Sequence, residues 1–176
     1  MAQQQWVLDT AHSQAQFKVR HMMISTVTGE LSAFDVQVTT EGTDFTTAKA
    51  RFNASVDAIE TKNKQREAHL KTSDFFDADN HPDILFESTG IPAGGKADYE
   101  MEGKLTIRGV TKPVVLQVEQ GGQLEDSEGK IHAGFEISGT INRRDFGLQF
   151  NAVTESGGMV VSDEVRLLVS IELVQG

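Results

Sequence analysis

The chain has 176 residues, 38% hydrophobic and 24% charged, and its 26 acidic against 16 basic side chains give a formal charge of −10. That length and composition suit one globular domain, and the negative field repels phosphate backbones and anionic headgroups, so nucleic acid is not an expected partner. The absence of cysteine excludes disulfides, thiolate metal sites, iron–sulfur clusters and cysteine nucleophiles.

In chain order, the start MAQQQW lacks the basic opening and apolar run of a secretory signal. The expected location is the cytoplasm, or the periplasm if a leader has been removed. No stretch approaches the roughly 18 apolar residues of a membrane helix, so a membrane-spanning chain is not expected.

From there the sequence alternates in twos. Ala15, Phe17 and Val19 alternate with Gln14, Gln16, Lys18 and Arg20, and Phe34, Val36 and Val38 with Asp35 and Gln37. Ala48, Ala50, Phe52, Ala54 and Val56 are separated by Lys49, Arg51, Asn53 and Ser55. A short run at Ile84 and Phe86 follows, then Ala97, Tyr99, Met101, Leu105 and Ile107. Val114, Leu116 and Val118 come next, then Ile131, Ala133, Phe135 and Ile137, and finally Val165 through Leu173. A period of two marks a strand with one dry and one wet face, which gives about eight strands.

Gly94-Gly95, Gly121-Gly122, Gly157-Gly158 and Asp126 to Gly129 are the expected reversals. Short connections favour an antiparallel meander. The one segment suited to a helix runs from Thr61 to Leu70 and on through Ser73-Asp74-Phe75-Phe76, with Asn63 and Ser73 as expected N-caps. Eight half-dry strands must close into a barrel or stack as a sandwich; runs of eight to ten residues suit a barrel better.

Little here resembles catalytic machinery. The five histidines show no HxH or HExxH spacing, and no GxSxG elbow is present. His21 falls in register with Phe17 and Val19, as a core histidine, a tether for a ligand headgroup or, least favoured, a metal ligand. Arg66, Glu67 and His69 cluster on the expected helix, either as a charge-paired surface or as an acid–base group. On the dry faces Phe17, Phe34, Phe52, Phe86, Tyr99 and Phe135 interleave with Ala15, Ala48, Ala50, Ala54, Gly103 and Ala133. Such a mixture either leaves a lumen or fits the taper of a filled barrel.

Several segments, ordered along nearly the whole chain, resemble the YceI-like family of bacterial proteins. They are Asp9-Thr10-Ala11-His12-Ser13 with Phe17, Val19 and His21, and Gly29 with Phe34. Asp57, Thr61, Arg66, His69, Leu70, Asp74, Phe75, Phe76, Pro82, Phe86 and Ser88 make up the middle. The run Gly103 to Pro113 (GKLTIRGVTKP), Arg144-Asp145-Phe146-Gly147, and Asp163 with Val165 complete the pattern. His81 stands where family members usually carry an aromatic.

The resemblance implies an all-β fold: an extended, eight-stranded antiparallel, lipocalin-like barrel with one short helical connection, spanning residues 1–176 as a single domain. It further implies that the interior binds a long amphiphile such as a polyisoprenoid, an isoprenoid quinone or a fatty-chain amide, with no cofactor or metal, and that the protein sequesters or carries its ligand rather than transforming it. On this footing the interior contacts are Phe17, Val19, Phe34, Phe52, Val56, Phe86, Leu105, Phe135 and Phe146. His21 meets the headgroup or the mid-pocket, and His69, Leu70, Phe75 and Phe76 border the opening. Aspartate in place of Phe52 or Phe135 should then abolish uptake. Two alternatives stand beside this: an enzyme acting on such lipids through His21, His69 and Arg66, and a filled barrel acting through its surface in stress response. An apolar opening on an acidic monomer would also suit a homodimer interface.

Overall fold

Burying one face of each alternating run while satisfying every backbone amide requires strands paired on both edges, and the chain meets this by closing on itself. The computed structural model describes residues 2–90, 98–148 and 161–176. Its strands are β1 (Gln3–Leu8), β2 (Gln14–His21), β3 (Ser25–Leu31), β4 (Phe34–Glu41), β5 (Asp44–Ser55) and β6 (Ile59–Glu60). After the helix α1 (Lys64–Leu70) come β7 (Asp83–Gly90), β8 (Asp98–Ile107), β9 (Val110–Glu125), β10 (Ile131–Asn142) and β11 (Glu164–Gln175).

The order β1-β4-β5-β7-β8-β9-β10-β11 returns to β1, giving a closed eight-stranded barrel in which every pairing is antiparallel. The remaining segments continue strands already counted. β11 pairs with β1 from Trp6 to Leu8 and with β2 from Gln14 to Lys18, so β1 and β2 act as one long strand kinked at Thr10–His12. β3 and β4 form a second such strand, and β5 with β6 a third, because β6 returns to β3 at Leu31 and Glu30.

The kink between β1 and β2 is stapled by side chains. Asp9 accepts from the amide of Ala11 and binds His12 Nδ1 at 2.8 Å. Ser13 Oγ donates to the Asp9 carbonyl and accepts from the Glu172 amide on β11. Glu172 in turn meets His132 Nδ1 at 3.0 Å, and His132 Nε2 meets Asp126 at 2.7 Å. Hydrogen bonds to the carboxylates of Asp126 and Glu172 raise His132 above the ordinary imidazole value of 6.5, and the bond of His12 to Asp9 does the same for that histidine. Asp126 and Asp9 are held below 3.8, chiefly by their histidine partners.

Raised imidazoles contribute stability below 6.5 that is lost as pH climbs through their folded values. Depressed carboxylates contribute above 3.8 and lose it as pH falls through theirs. The staple is therefore strongest between these limits. The urea midpoint should be higher at about pH 5.5 than at about pH 8.5, and His132→Gln should shrink that difference; equal midpoints in the wild-type protein would contradict the assignment.

Two expectations are corrected. Gly121-Gly122 is not a reversal: β9 runs on to Glu125, and the glycines sit at a bulge where Gly134 faces Gly122 but Phe135 faces Gln120. Gly122 has φ +147, which suits an extra residue inserted into one strand. The turn itself is at Asp126 to Gly129, as expected, closed by the Gly129 amide on the Asp126 carbonyl. Ser73 caps no helix. Asn63 does cap α1, accepting from the Arg66 amide, but α1 ends at Leu70 and the chain continues as turns in which Phe75 and Asp77 donate to Thr72. The expected turns at Gly94-Gly95 and Gly157-Gly158, and the strand position of Ala97, lie outside the described residues.

Candidate ligand-binding cavity

The dry faces do not meet at the barrel axis; they enclose a cavity of about 650 Å³. That is within the range of about 300–1,000 Å³ typical of small-molecule sites. Along β8 the wall rises from Tyr99 to Ile107, about 20 Å along the axis at a rise of about 3.4 Å per residue and a tilt near 40°. The space is therefore elongated. Inward-facing Phe17, Ala50, Phe52, Leu116, Val165 and Leu167 stay only half-buried, as residues bordering an open interior must.

Glycine helps to keep the axis open. A Cβ on Gly29 would lie 2.1 Å from Cζ of Phe17, and one on Gly103 would lie 2.3 Å from Cζ of Phe86. Both aromatic rings therefore rest over a cross-strand glycine, against the wall instead of across the lumen. Small residues create room here by accommodating their large neighbours.

One end is plugged. Phe45 packs between Trp6 and Phe135 with both centroid distances at 4.7 Å. Trp6 Nε1 donates to buried Thr40 Oγ1, which donates to the Gly42 carbonyl. Tyr99 is buried near this end, and desolvation followed by the Asp44 charge pushes its phenol up to about 12, so it stays neutral. Phe45 escaped the sequence analysis because consecutive outward residues, Thr46 and Thr47, interrupt the alternation beside a β4–β5 register shift.

At the opposite end the cavity reaches the surface between the β2–β3 hairpin and α1. There Arg20, Arg66 and His69 are exposed, while His21, Leu70 and Phe76 are half-buried. Arg66 Nη1 donates to the Thr61 carbonyl, and His69 is held by Asp74 at 2.8 Å with its ring edge-on to Phe75. Glu67 turns away to accept from the amides of Thr61 and Asn63, which keeps its carboxyl below the usual range. The Arg66–Glu67–His69 cluster thus divides: arginine and histidine face the cavity, and the glutamate caps the helix. The floor beside the mouth is tied by Arg108, whose guanidinium donates to the carbonyls of Phe75 and Gly147. Arg108 and Gly109 have φ values of 52 and 71, the left-handed pair a tight hairpin needs.

Of the residues expected to contact ligand, Phe17, Val19, His21, Phe52, His69 and Leu70 line the cavity, as do Phe75, Phe76, Phe86, Leu105 and Phe135. Phe34, Val56 and Phe146 do not. Phe34 stacks on Phe52 at 5.5 Å, and the other two are almost fully buried in the core without lining the cavity. The sequence analysis also missed Arg143, a buried cation in the lining. The basic side chains of the described lining are Arg20, Arg51, Arg66, Arg143, His21 and His69, and its other ionisable group is the neutral phenol of Tyr99. No carboxylate is among them, although acidic residues outnumber basic ones overall. Among the described residues the one group able to hold a metal ion is Asp9, His12 and Glu172, whose ligand atoms lie within 4.8 Å of one another. It belongs to the staple on the outer wall and does not line the cavity.

Comparison with known proteins bears on this architecture. A UPF0312 protein of Staphylococcus aureus (strain N315), SA2479, is 35% identical over 168 residues, covering 95% of each chain. The crystal structure of Campylobacter jejuni YCEI protein superposes with a TM-score of 0.76 at 31% identity over 94% of both chains. Burkholderia cenocepacia BcnA gives a TM-score of 0.79 at 24% identity, covering 94% of this chain and 98% of its own. A Saccharophagus degradans domain described as polyisoprenoid-binding and implicated in plant cell wall breakdown gives 0.66 at 15% identity, covering 97% and 98%. With the YceI-like domain matching residues 6–173, almost the whole barrel, the chain belongs to the YceI-like family.

Proposed function

We propose that the barrel binds one long-chain isoprenoid or fatty amphiphile, tail inward and headgroup at the mouth, and that it carries or sequesters this ligand. The observation that carries the reading is the apolar, elongated cavity, closed by Trp6, Phe45 and Phe135 and open beside α1. Scaled at about 24 cal/mol per Å³, leaving such a space empty costs at most on the order of 15 kcal/mol, comparable with a whole domain's stability. A tail of about ten to fifteen carbons returns on the order of 10 kcal/mol gross, less the freedom it loses. The fold shared with a polyisoprenoid-binding domain supports the same class of ligand. Binding is favoured over catalysis because the described lining, although it includes His21 and His69, holds no serine or cysteine for them to activate and no aspartate or glutamate.

The mouth points to the headgroup. Arg20, Arg66 and His21 face the opening, and the His21 ring makes no hydrogen bond among the described residues. Acidic-headed amphiphiles should bind more tightly than neutral ones of equal length, such as alcohols, quinones or amides. One well-placed charge contact gives a preference of about tenfold, which is 1.4 kcal/mol. Native mass spectrometry of gently purified protein, followed by organic extraction, would identify a resident ligand. Titration with matched acidic and neutral chains would then measure the preference, which should fall toward unity in Arg20→Gln/Arg66→Gln. A protein that purifies empty and takes up neither chain would overturn the binding reading; equal affinities would overturn only the headgroup assignment.

A further inference from the structure

The β2–β3 hairpin ends in three consecutive large apolar residues, Met22, Met23 and Ile24, exposed by 42%, 63% and 77%. Among the described residues the other large exposed apolar side chains, Val7, Val115 and Leu124, stand singly along the chain. The tip is not built for easy turning. Met22 and Met23 hold φ values of 50 and 57, a left-handed conformation that favours glycine or asparagine and strains side chains such as these. Neither solubility nor turn geometry accounts for this sequence.

Its position does. Val19, Arg20, His21 and Val27, on either side of the tip, line the cavity, so the apolar residues project from the rim of the mouth. Arg20 braces the hairpin, donating to the Met23 carbonyl at 2.9 Å and to Thr26 Oγ1 at 3.1 Å. Ser162 ties the same residue from the far side through two bonds, one to each backbone polar group of Arg20.

We propose that this tip docks the barrel mouth onto an anionic lipid bilayer, so that an amphiphile passes between membrane and lumen without crossing water. Apolar side chains enter the interfacial layer while the basic mouth meets acidic headgroups, the usual pairing at membrane surfaces. The overall charge of −10 does not prevent this, because salt screens charges beyond about 8 Å and the charged side chains in the described lining of the mouth are all basic. A second copy is disfavoured as occupant, since two apposed mouths would bring their arginines Arg20 and Arg66 together. The proposal rests on the ligand-binding reading above.

The test uses Met22→Asn/Met23→Gly/Ile24→Ser, which keeps the hairpin foldable by installing residues suited to its geometry. cis-Parinaric acid, a fluorescent long-chain carboxylate, is delivered either from ethanol or from phosphatidylcholine/phosphatidylglycerol vesicles. The variant should match wild-type affinity for acid delivered from ethanol, yet accept it from vesicles at least tenfold more slowly and lose co-sedimentation with them. Unchanged vesicle transfer and co-sedimentation would overturn the proposal. So would a wild-type dimer that dissociates in the variant while transfer is unaffected, making the tip a contact between copies. Failure of both proteins to take up the acid from ethanol would count against the ligand reading, and vesicle co-sedimentation of the wild type would still decide the docking.

Discussion

Ala50→Trp is expected to abolish uptake of any long-chain ligand while leaving the unliganded protein at least as stable as wild type. Ala50 lies on β5 between Ala48 and Phe52 and faces the cavity, yet it is only half-buried. An indole there enters open space lined by hydrocarbon and recovers part of the contact that the empty lumen lacks. In a filled barrel the same change would overpack the core and cost about 1–3 kcal/mol. Melting temperature and ligand titration therefore move in opposite directions under the two architectures. Gly29→Ala tests the same space from the other wall: a Cβ 2.1 Å from the Phe17 ring must drive that ring off its glycine shelf, and binding should weaken. Lower stability with unchanged binding in Ala50→Trp would mean that the dry face is packed rather than hollow.

That the dry faces line the interior was legible in the sequence, because a period of two maps directly onto the two sides of a strand. Ala48 to Val56, Tyr99 to Ile107 and Val165 to Leu173 all face inward where the alternation puts them. β1 and β3 escaped notice for a physical reason. Gln3-Gln4-Gln5 and Ser25-Thr26-Val27-Thr28-Gly29 carry few apolar residues, and these segments are strands because β4, β11 and β2 supply their hydrogen bonds. Propensity yields there to tertiary pairing.

The hollow interior was harder to read than the register. Small residues on a dry face are equally consistent with a lumen and with a tapered core, and local sequence does not separate them. The deciding contacts are between residues far apart in the chain: Phe17 over Gly29, Phe86 over Gly103, and Phe45 between Trp6 and Phe135. A mouth whose charged lining is basic also emerges only on folding, when Glu67 is drawn away to cap α1 and Arg66 is left facing the cavity. Arg143 had a signal that could have been followed. Phe135, Ile137, Gly139 and Ile141 continue the inward register two residues at a time, and the next position is an arginine.

Arg143→Met is accordingly expected to be the most destabilising single change in the wall. Arg143 is 3% exposed, with Nε donating to the Ser162 carbonyl at 3.0 Å, Nη2 to that of Val161 at 3.4 Å and Nη1 to that of Leu148. It thereby clamps the exit of β10 to the approach to β11, and Leu148 and Val161 are themselves part of the cavity wall. A buried carbonyl stripped of its donor costs about 1–3 kcal/mol; with the Leu148 bond buried and the other two half-buried, a loss of about 3–5 kcal/mol is expected. At about 2–4 °C per kcal/mol for a chain of this size, the melting temperature should fall by about 6–20 °C. The carbonyls dominate this effect, not the ion pair with Asp163. That contact is 3.6 Å long and its carboxylate is 47% exposed, a setting where a salt bridge contributes about 0–1 kcal/mol. Asp163→Asn should therefore be mild, and Arg143→Lys intermediate, because an ammonium keeps the charge but not the planar fork that reaches several carbonyls. Denaturant unfolding of the three variants, with hydrogen exchange read at β10 and β11, separates the two contributions. If Asp163→Asn proves as damaging as Arg143→Met, the wall is held by charge and not by the carbonyl clamp.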